Sequence, residues 1–101
     1  MDSEQQVHSA LTQDSISVFF YSSHFCEPCA RTRRVVDEVE KLLPWLVIEE
    51  RDVAACQSQA QADQIRSTPT ILIRSRDGSE VMRARGIPTV AALLNAISAA
   101  V

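Results

Sequence analysis

No stretch of the 101-residue sequence stays apolar for the roughly 20 residues that a bilayer-spanning helix needs, so no membrane partner is expected. Basic charge is not in excess either. With 13 acidic against 10 basic side chains and a formal net charge of -3, the chain lacks the clustered Lys and Arg that a nucleic-acid partner calls for. The opening residues Met1-Asp2-Ser3-Glu4-Gln5-Gln6 have neither the positive start nor the apolar run of a secretory signal, which gives the expectation of a cytoplasmic protein. Cysteine is scarce and odd in number. Three cysteines cannot close a full set of structural disulfides within one chain, and a reducing compartment is their natural setting. There, a close cysteine pair means redox chemistry or metal binding. No internal repeat, low-complexity tract or linker is present. With 46% hydrophobic residues there is material for one core and too little length for two ordinary domains, so residues 1–101 read as a single soluble domain, expected to be monomeric.

What is present is an alternation of β-like and helical patterns. Residues 3–12 carry Val7, Ala10 and Leu11 at helical spacing and suggest a short amphipathic helix. Residues 16–21 form a nearly continuous apolar and aromatic run, as expected of a central strand buried on both sides. Residues 29–43 set Thr32, Val35, Val36, Val39, Leu42 and Leu43 on one helical face, and Pro44 ends that helix. Leu46-Val47-Ile48 reads as the core of a second buried strand, completing a βαβ unit. Residues 56–66, rich in Gln and Ala with Ala60, Ala62 and Ile65 as the apolar contribution, read as a surface helix. A strand resumes at residues 69–73. Asp77-Gly78, between that strand and residues 80–85, is a hairpin signal that makes the last two strands antiparallel. From Pro88 onward Val90, Leu93, Leu94 and Ile97 recur at helical spacing, with Pro88 in the first turn. The expected fold is α/β: one mixed sheet of about four strands flanked by helices, in the order βαβ, helix, ββα.

The informative motif is Cys26-Glu27-Pro28-Cys29, where a buried strand gives way to a helix. Two intervening residues let the sulfurs face each other across the first helical turn, so a disulfide can open and close with little backbone motion. A helix amino terminus favours an anion by roughly 0.3 to 2 kcal/mol through its partial charge and unpaired N–H groups. Cys26, at the cap, gains most and is expected to be the more exposed, attacking sulfur. Cys29, one turn in, is expected to be buried and to resolve the mixed disulfide that Cys26 forms. Pro28 stiffens the turn at a position where no N–H is required. A rival reading makes the pair half of a zinc site completed by Cys56 and His8 or His24, although the second tight ligand pair usual in structural zinc sites is missing.

The residues now in view resemble the thioredoxin family over most of the chain. The strand at residues 16–21 ahead of Cys-x-Pro-Cys is similar to the family's active-site strand. Ile65-Arg66-Ser67-Thr68-Pro69-Thr70-Ile71-Leu72-Ile73 looks like the segment in which a cis-proline precedes a strand, and Gly86 occupies the position of a family glycine. The resemblance implies a thioredoxin-like fold and disulfide-reductase activity without a cofactor or metal. It further implies that Pro69 is cis against the cysteine pair and that the Thr68 backbone pairs with an incoming polypeptide. From the residues alone, Thr68-Pro69 suggests only an extended residue before proline. The implied partners are disulfide-containing protein substrates and a thioredoxin reductase or other dithiol donor.

Departures from the family pattern matter as much. The family usually has Trp before the first cysteine and Gly after it, where this chain has Phe25 and Glu27, so an altered partner surface is expected. The buried aspartate associated with the resolving cysteine falls on Phe20, and its lysine falls on Glu50. Glu50, or water, is therefore expected to take the proton from Cys29. Glu27 sets a negative charge beside the sulfurs and opposes the thiolate. Arg31, Arg33 and Arg34 compensate or simply solvate the helix, solvation being the expectation for at least two of them. His24 reads as an exposed loop histidine, His8 as a residue without a role, and Cys56 as a partly buried thiol near the start of the third helix. A glutaredoxin-type enzyme using glutathione is a rival, although the Gly-Gly pair common there after the hairpin is absent and Gly86 stands alone. A non-catalytic binding module of the same fold is another.

Overall fold

The apolar run at the start of the sheet becomes β1 (Ile16–Ser22), in which Ile16, Val18, Phe20, Tyr21 and Ser22 are all buried. The computed structural model of the chain describes residues 16–101. The helix expected over residues 3–12, and His8 with it, lies outside the described residues.

Four further residues of turn lead from β1 into α1 (Glu27–Leu42), which buries Cys29, Thr32, Val36 and Val39 at helical spacings. The buried Thr32 hydroxyl donates to the Pro28 carbonyl at 2.9 Å, satisfying a polar group that would otherwise oppose packing. The helix begins two residues earlier than its apolar pattern suggests and stops at Leu42, whose side chain is 53% exposed instead of on the apolar face.

The second strand, β2 (Ile48–Asp52), corrects the expectation of a buried strand centred on residues 46–48. Strand order is β2-β1-β3-β4, so β2 is an edge strand with one covered face, and its apolar residues alternate. Leu46 and Ile48 point inward while Val47 is 76% exposed. Pairing with β1 is parallel and sets Phe20 beside Glu50.

The next helix, α2 (Gln57–Ala62), is shorter than the expected residues 56–66 and buries only Ala60. Gln64 takes a left-handed φ of 55°, and the Ile65 N–H returns to the Ala60 carbonyl at 2.9 Å. That closure ends the helix before Ile65 can join it. Strands β3 (Thr70–Ser75) and β4 (Glu80–Arg85) pair antiparallel, and β3 is antiparallel to β1. In the turn between them, Gly78 has a φ of 90°, open to glycine at little cost. Asp77 accepts from the Ser75 hydroxyl at 2.6 Å and the Ser79 N–H at 3.0 Å. These donors, Ser75 foremost, bring the Asp77 carboxyl down to about 2. The last helix, α3 (Val90–Ala100), is capped by Thr89, whose hydroxyl accepts the Ala92 N–H at 3.0 Å. Pro88 thus precedes the cap and is not in the first turn.

The mixed sheet has helices on both faces, as the pattern implied. Val18, Phe20, Ile71 and Ile73 pack with Val36, Val39, Leu93 and Ile97 into the main core. The opposite face carries Tyr21, whose hydroxyl donates to Asp63 beyond α2 at 2.6 Å.

Candidate active site

Cys26 and Cys29 sit where β1 has ended and α1 begins. Cys26 is the N-cap residue, with extended φ -110° and ψ 102°, and its Sγ accepts the Cys29 N–H at 3.1 Å. The same N–H also donates to the Cys26 carbonyl at 3.1 Å, so the sulfur and the backbone share one of the first-turn donors of α1. The cysteines form a disulfide, with Cα atoms 5.1 Å apart. Cys29 is 1% exposed and Cys26 is partly exposed, so the sulfur that reaches solvent is the one at the helix terminus.

Around Cys26 the surface opens into a shallow cavity of about 700 Å³ lined by Ser23, His24, Phe25, Cys26, Glu27 and Arg33. Phe25 is fully exposed and holds a left-handed φ of 55°, which costs a bulky L-residue about 1 to 2 kcal/mol. Glu27, in the first turn and exposed, pairs with Arg31 at 3.3 Å. His24 is exposed, with its Nε2 3.6 Å from Asp52.

The loop ahead of β3 closes the other side. The Thr68–Pro69 bond is cis, and the Thr68 hydroxyl shares a hydrogen bond with Ser23 at 2.7 Å while lying 4.0 Å from Cys26 Sγ. Gly86, with φ 95°, donates its N–H to the Pro69 carbonyl at 2.9 Å. Residues far apart in sequence, Phe25 to Cys29 and Thr68 to Pro69, are thus brought together at one end of the sheet.

Glu50 is held elsewhere in the same region. Ser22 donates to it at 2.8 Å, and Arg33 donates twice, at 3.0 and 2.6 Å. Donation by Arg33, with a smaller part from Ser22, outweighs burial and keeps the Glu50 carboxyl below the usual carboxylate range. The Arg33 guanidinium also lies 5.7 Å from the ring centroid of Phe20. Arg33 therefore has a fixed partner and is not a solvating charge. Sequence reasoning missed this and the roles of Ser22 and Ser23, because each depends on a strand or loop distant in sequence that folds against it. Cys56 is a free, partly buried thiol at the N-cap of α2, without a side-chain cap bond. Among the described residues no group of three or more His, Cys, Asp or Glu side chains is placed to hold a metal ion.

A family model for thioredoxin matches residues 2–99. No curated protein matches the sequence. Among solved structures, the chain is similar to thioredoxin from Fasciola hepatica, with 21% identity, a TM-score of 0.77 and coverage of 96% of this chain and 91% of that one. It is also similar to oxidised thioredoxin from Plasmodium falciparum, at 22% identity, TM-score 0.73 and coverage of 98% and 94%. A variant thioredoxin from Halobacterium salinarum gives 20% identity, TM-score 0.77 and coverage of 99% and 87%. At these identities the structural likeness is one of fold.

Proposed function

The chain belongs to the thioredoxin family, hence to the thiol-disulfide oxidoreductases, and on that premise we propose that it reduces protein disulfides through a mixed disulfide on Cys26 that Cys29 resolves. The observation that carries this is the partly exposed Cys26 sulfur at the N-cap of α1, accepting the Cys29 N–H, with Cys29 buried one turn behind. In the dithiol form the same cap favours the Cys26 thiolate. That thiolate bonds to one substrate sulfur and expels the other as a thiolate. Cys29, deprotonated, then attacks Cys26 Sγ, closing the internal disulfide and releasing the second substrate thiolate. Two electrons pass to the substrate, and a dithiol donor, a thioredoxin reductase or another, returns them.

The Thr68 backbone, ahead of cis-Pro69, pairs with the incoming polypeptide, and Phe25 meets its apolar surface. Of the two acceptors for the Cys29 proton, water is favoured over Glu50. A carboxylate already bound by Arg33 and Ser22, with its pKa lowered, is a weak base. Glu50→Gln should leave the turnover-pH profile unchanged, and a shifted profile would restore Glu50 as acceptor. The odd cysteine count supports work in a reducing compartment, the cytoplasm, and action as a monomer is part of the same proposal.

Insulin reduction driven by dithiothreitol tests the proposal. Cys26→Ser should abolish the catalysed rate, and reduced Cys29→Ser mixed with insulin after removal of dithiothreitol should accumulate the mixed disulfide, visible by mass on a non-reducing gel. An unchanged rate in Cys26→Ser overturns the reading, and a requirement for glutathione moves it to the glutaredoxin type.

A further inference from the structure

Granting that Cys26 exchanges with substrate disulfides, we propose that Arg66 and Arg85 select protein substrates carrying acidic side chains beside the disulfide. The chemistry is that of the proposed function; the selection comes from a separate set of charges. Side chains alternate along a strand, and the pairing of Leu72 with Arg83 and of Thr70 with Arg85 puts both arginines on the sheet face that carries Tyr21. Arg83 reaches the chain that follows α2, donating to the carbonyls of Asp63 at 2.8 Å and Gln64 at 3.4 Å. Arg85, one same-face step of about 7 Å nearer the cysteine end, stands beside the continuation of that chain, where Arg66 and Ser67 lead into Thr68. Two bonds tie this corner together: Gly86 N–H to the Pro69 carbonyl at 2.9 Å and the Thr70 hydroxyl to the Ser67 carbonyl at 2.8 Å.

The nearby carboxylates are committed. Asp63 holds Arg74 at 2.7 Å and Glu80 holds Arg83 at 2.9 Å. Arg66 and Arg85 are exposed and, among the described residues, neither has a carboxylate at ion-pair distance; Arg85 acts on Glu80 only from further away. Two positive groups at one corner therefore project an unbalanced field over the edge where a substrate segment meets Thr68. On the far side of Cys26, Glu27 is negative and only weakly offset by exposed Arg31. An extended segment with Asp or Glu beside its cysteine is drawn to the Arg66–Arg85 side and repelled from Glu27, which orients it as well as attracting it.

The test compares two disulfide-linked peptides that differ only in Glu or Gln beside the cysteine, with bis(2-hydroxyethyl) disulfide as the uncharged control. At low ionic strength kcat/KM for the Glu peptide should exceed that for the Gln peptide about five-fold, and the preference should shrink in about 0.3 M salt. The Arg66→Gln/Arg85→Gln double variant should lose the preference and keep the rate on the uncharged control. Equal rates for the two peptides, or a preference that survives in the double variant, overturns the proposal. A binding arm needs no turnover. A fluorescent, cysteine-free Glu peptide should bind the oxidised protein, read by anisotropy, and should yield to its unlabelled form but not to an oligonucleotide of equal charge. Equal displacement by the oligonucleotide overturns selection of polypeptides. If no disulfide is reduced, the uncharged control included, the proposed function fails, while the anisotropy arm still decides the charge selection.

Discussion

Phe25 combines two unfavourable features: a full apolar side chain in water and a left-handed backbone. A glycine there would remove both, against the entropy that glycine adds to the unfolded chain. Phe25→Gly should therefore leave the oxidised protein as stable as before or up to about 1 kcal/mol more stable, measured by urea unfolding. Its KM for insulin should rise several-fold while the uncharged disulfide is turned over normally. A loss of stability would mean that the phenyl group packs in the folded state and that its exposure is not a functional cost. Cys26, Cys29 and Pro28 were legible at this scale because their chemistry is tied to residue type and spacing, whereas Pro69 was placed only by the family resemblance. Ser23 and Arg33 were not, because a hydroxyl or guanidinium acquires its role only from the loop or strand that folds against it.

At the scale of elements, α2 is too short to be held by its single buried alanine. It is fastened by Asp63 at its C-cap, which accepts from the Tyr21 hydroxyl at 2.6 Å and from Arg74 at 2.7 Å. Burial pushes the Asp63 acid up, but donation by Tyr21 and Arg74 wins and leaves its pKa lowered. Asp63→Ala leaves the Tyr21 proton without its acceptor and Arg74 without its carboxylate, although Arg51 still donates to the Tyr21 oxygen at 2.9 Å, and should cost about 1 to 3 kcal/mol. The sign in pH follows from the lowered folded-state value. The carboxylate's contribution is complete above the unfolded pKa of about 4 and is lost as pH falls through the lower folded value. Urea midpoints of wild type and Asp63→Ala should thus differ most at neutral pH and converge in strong acid. A gap that does not change with pH would locate the loss in packing and not in the charge. The sequence-based boundaries erred at this scale for related reasons. Apolar density at residues 46–48 does not reveal that β2 lies at an edge, and Ile65 continues a helical spacing that Gln64 interrupts with its backbone.

For the whole molecule, order and face were readable because the hydrophobic period changes with each element. The site was readable because the family pattern ties residues 26–29 to residues 68 and 69. What no pattern gives is the direction of electron flow, yet folding free energies report on it. The same two sulfurs exist in the folded and unfolded chains. The difference in unfolding free energy between oxidised and reduced protein therefore equals the difference in disulfide stability between the folded and unfolded chains. Closing the short Cys26–Cys29 loop restricts the unfolded oxidised chain and favours the oxidised fold by about 2 kcal/mol. The α1 terminus acts the other way, stabilising a Cys26 thiolate in the reduced fold by about 0.3 to 2 kcal/mol. The oxidised form should come out ahead by an amount between zero and about 2 kcal/mol, read from urea midpoints with and without reductant. If instead the reduced protein is the more stable, the fold favours the dithiol, the pair is a stronger oxidant than the same cysteines in the unfolded chain, and the direction assigned to the enzyme loses its support from folding.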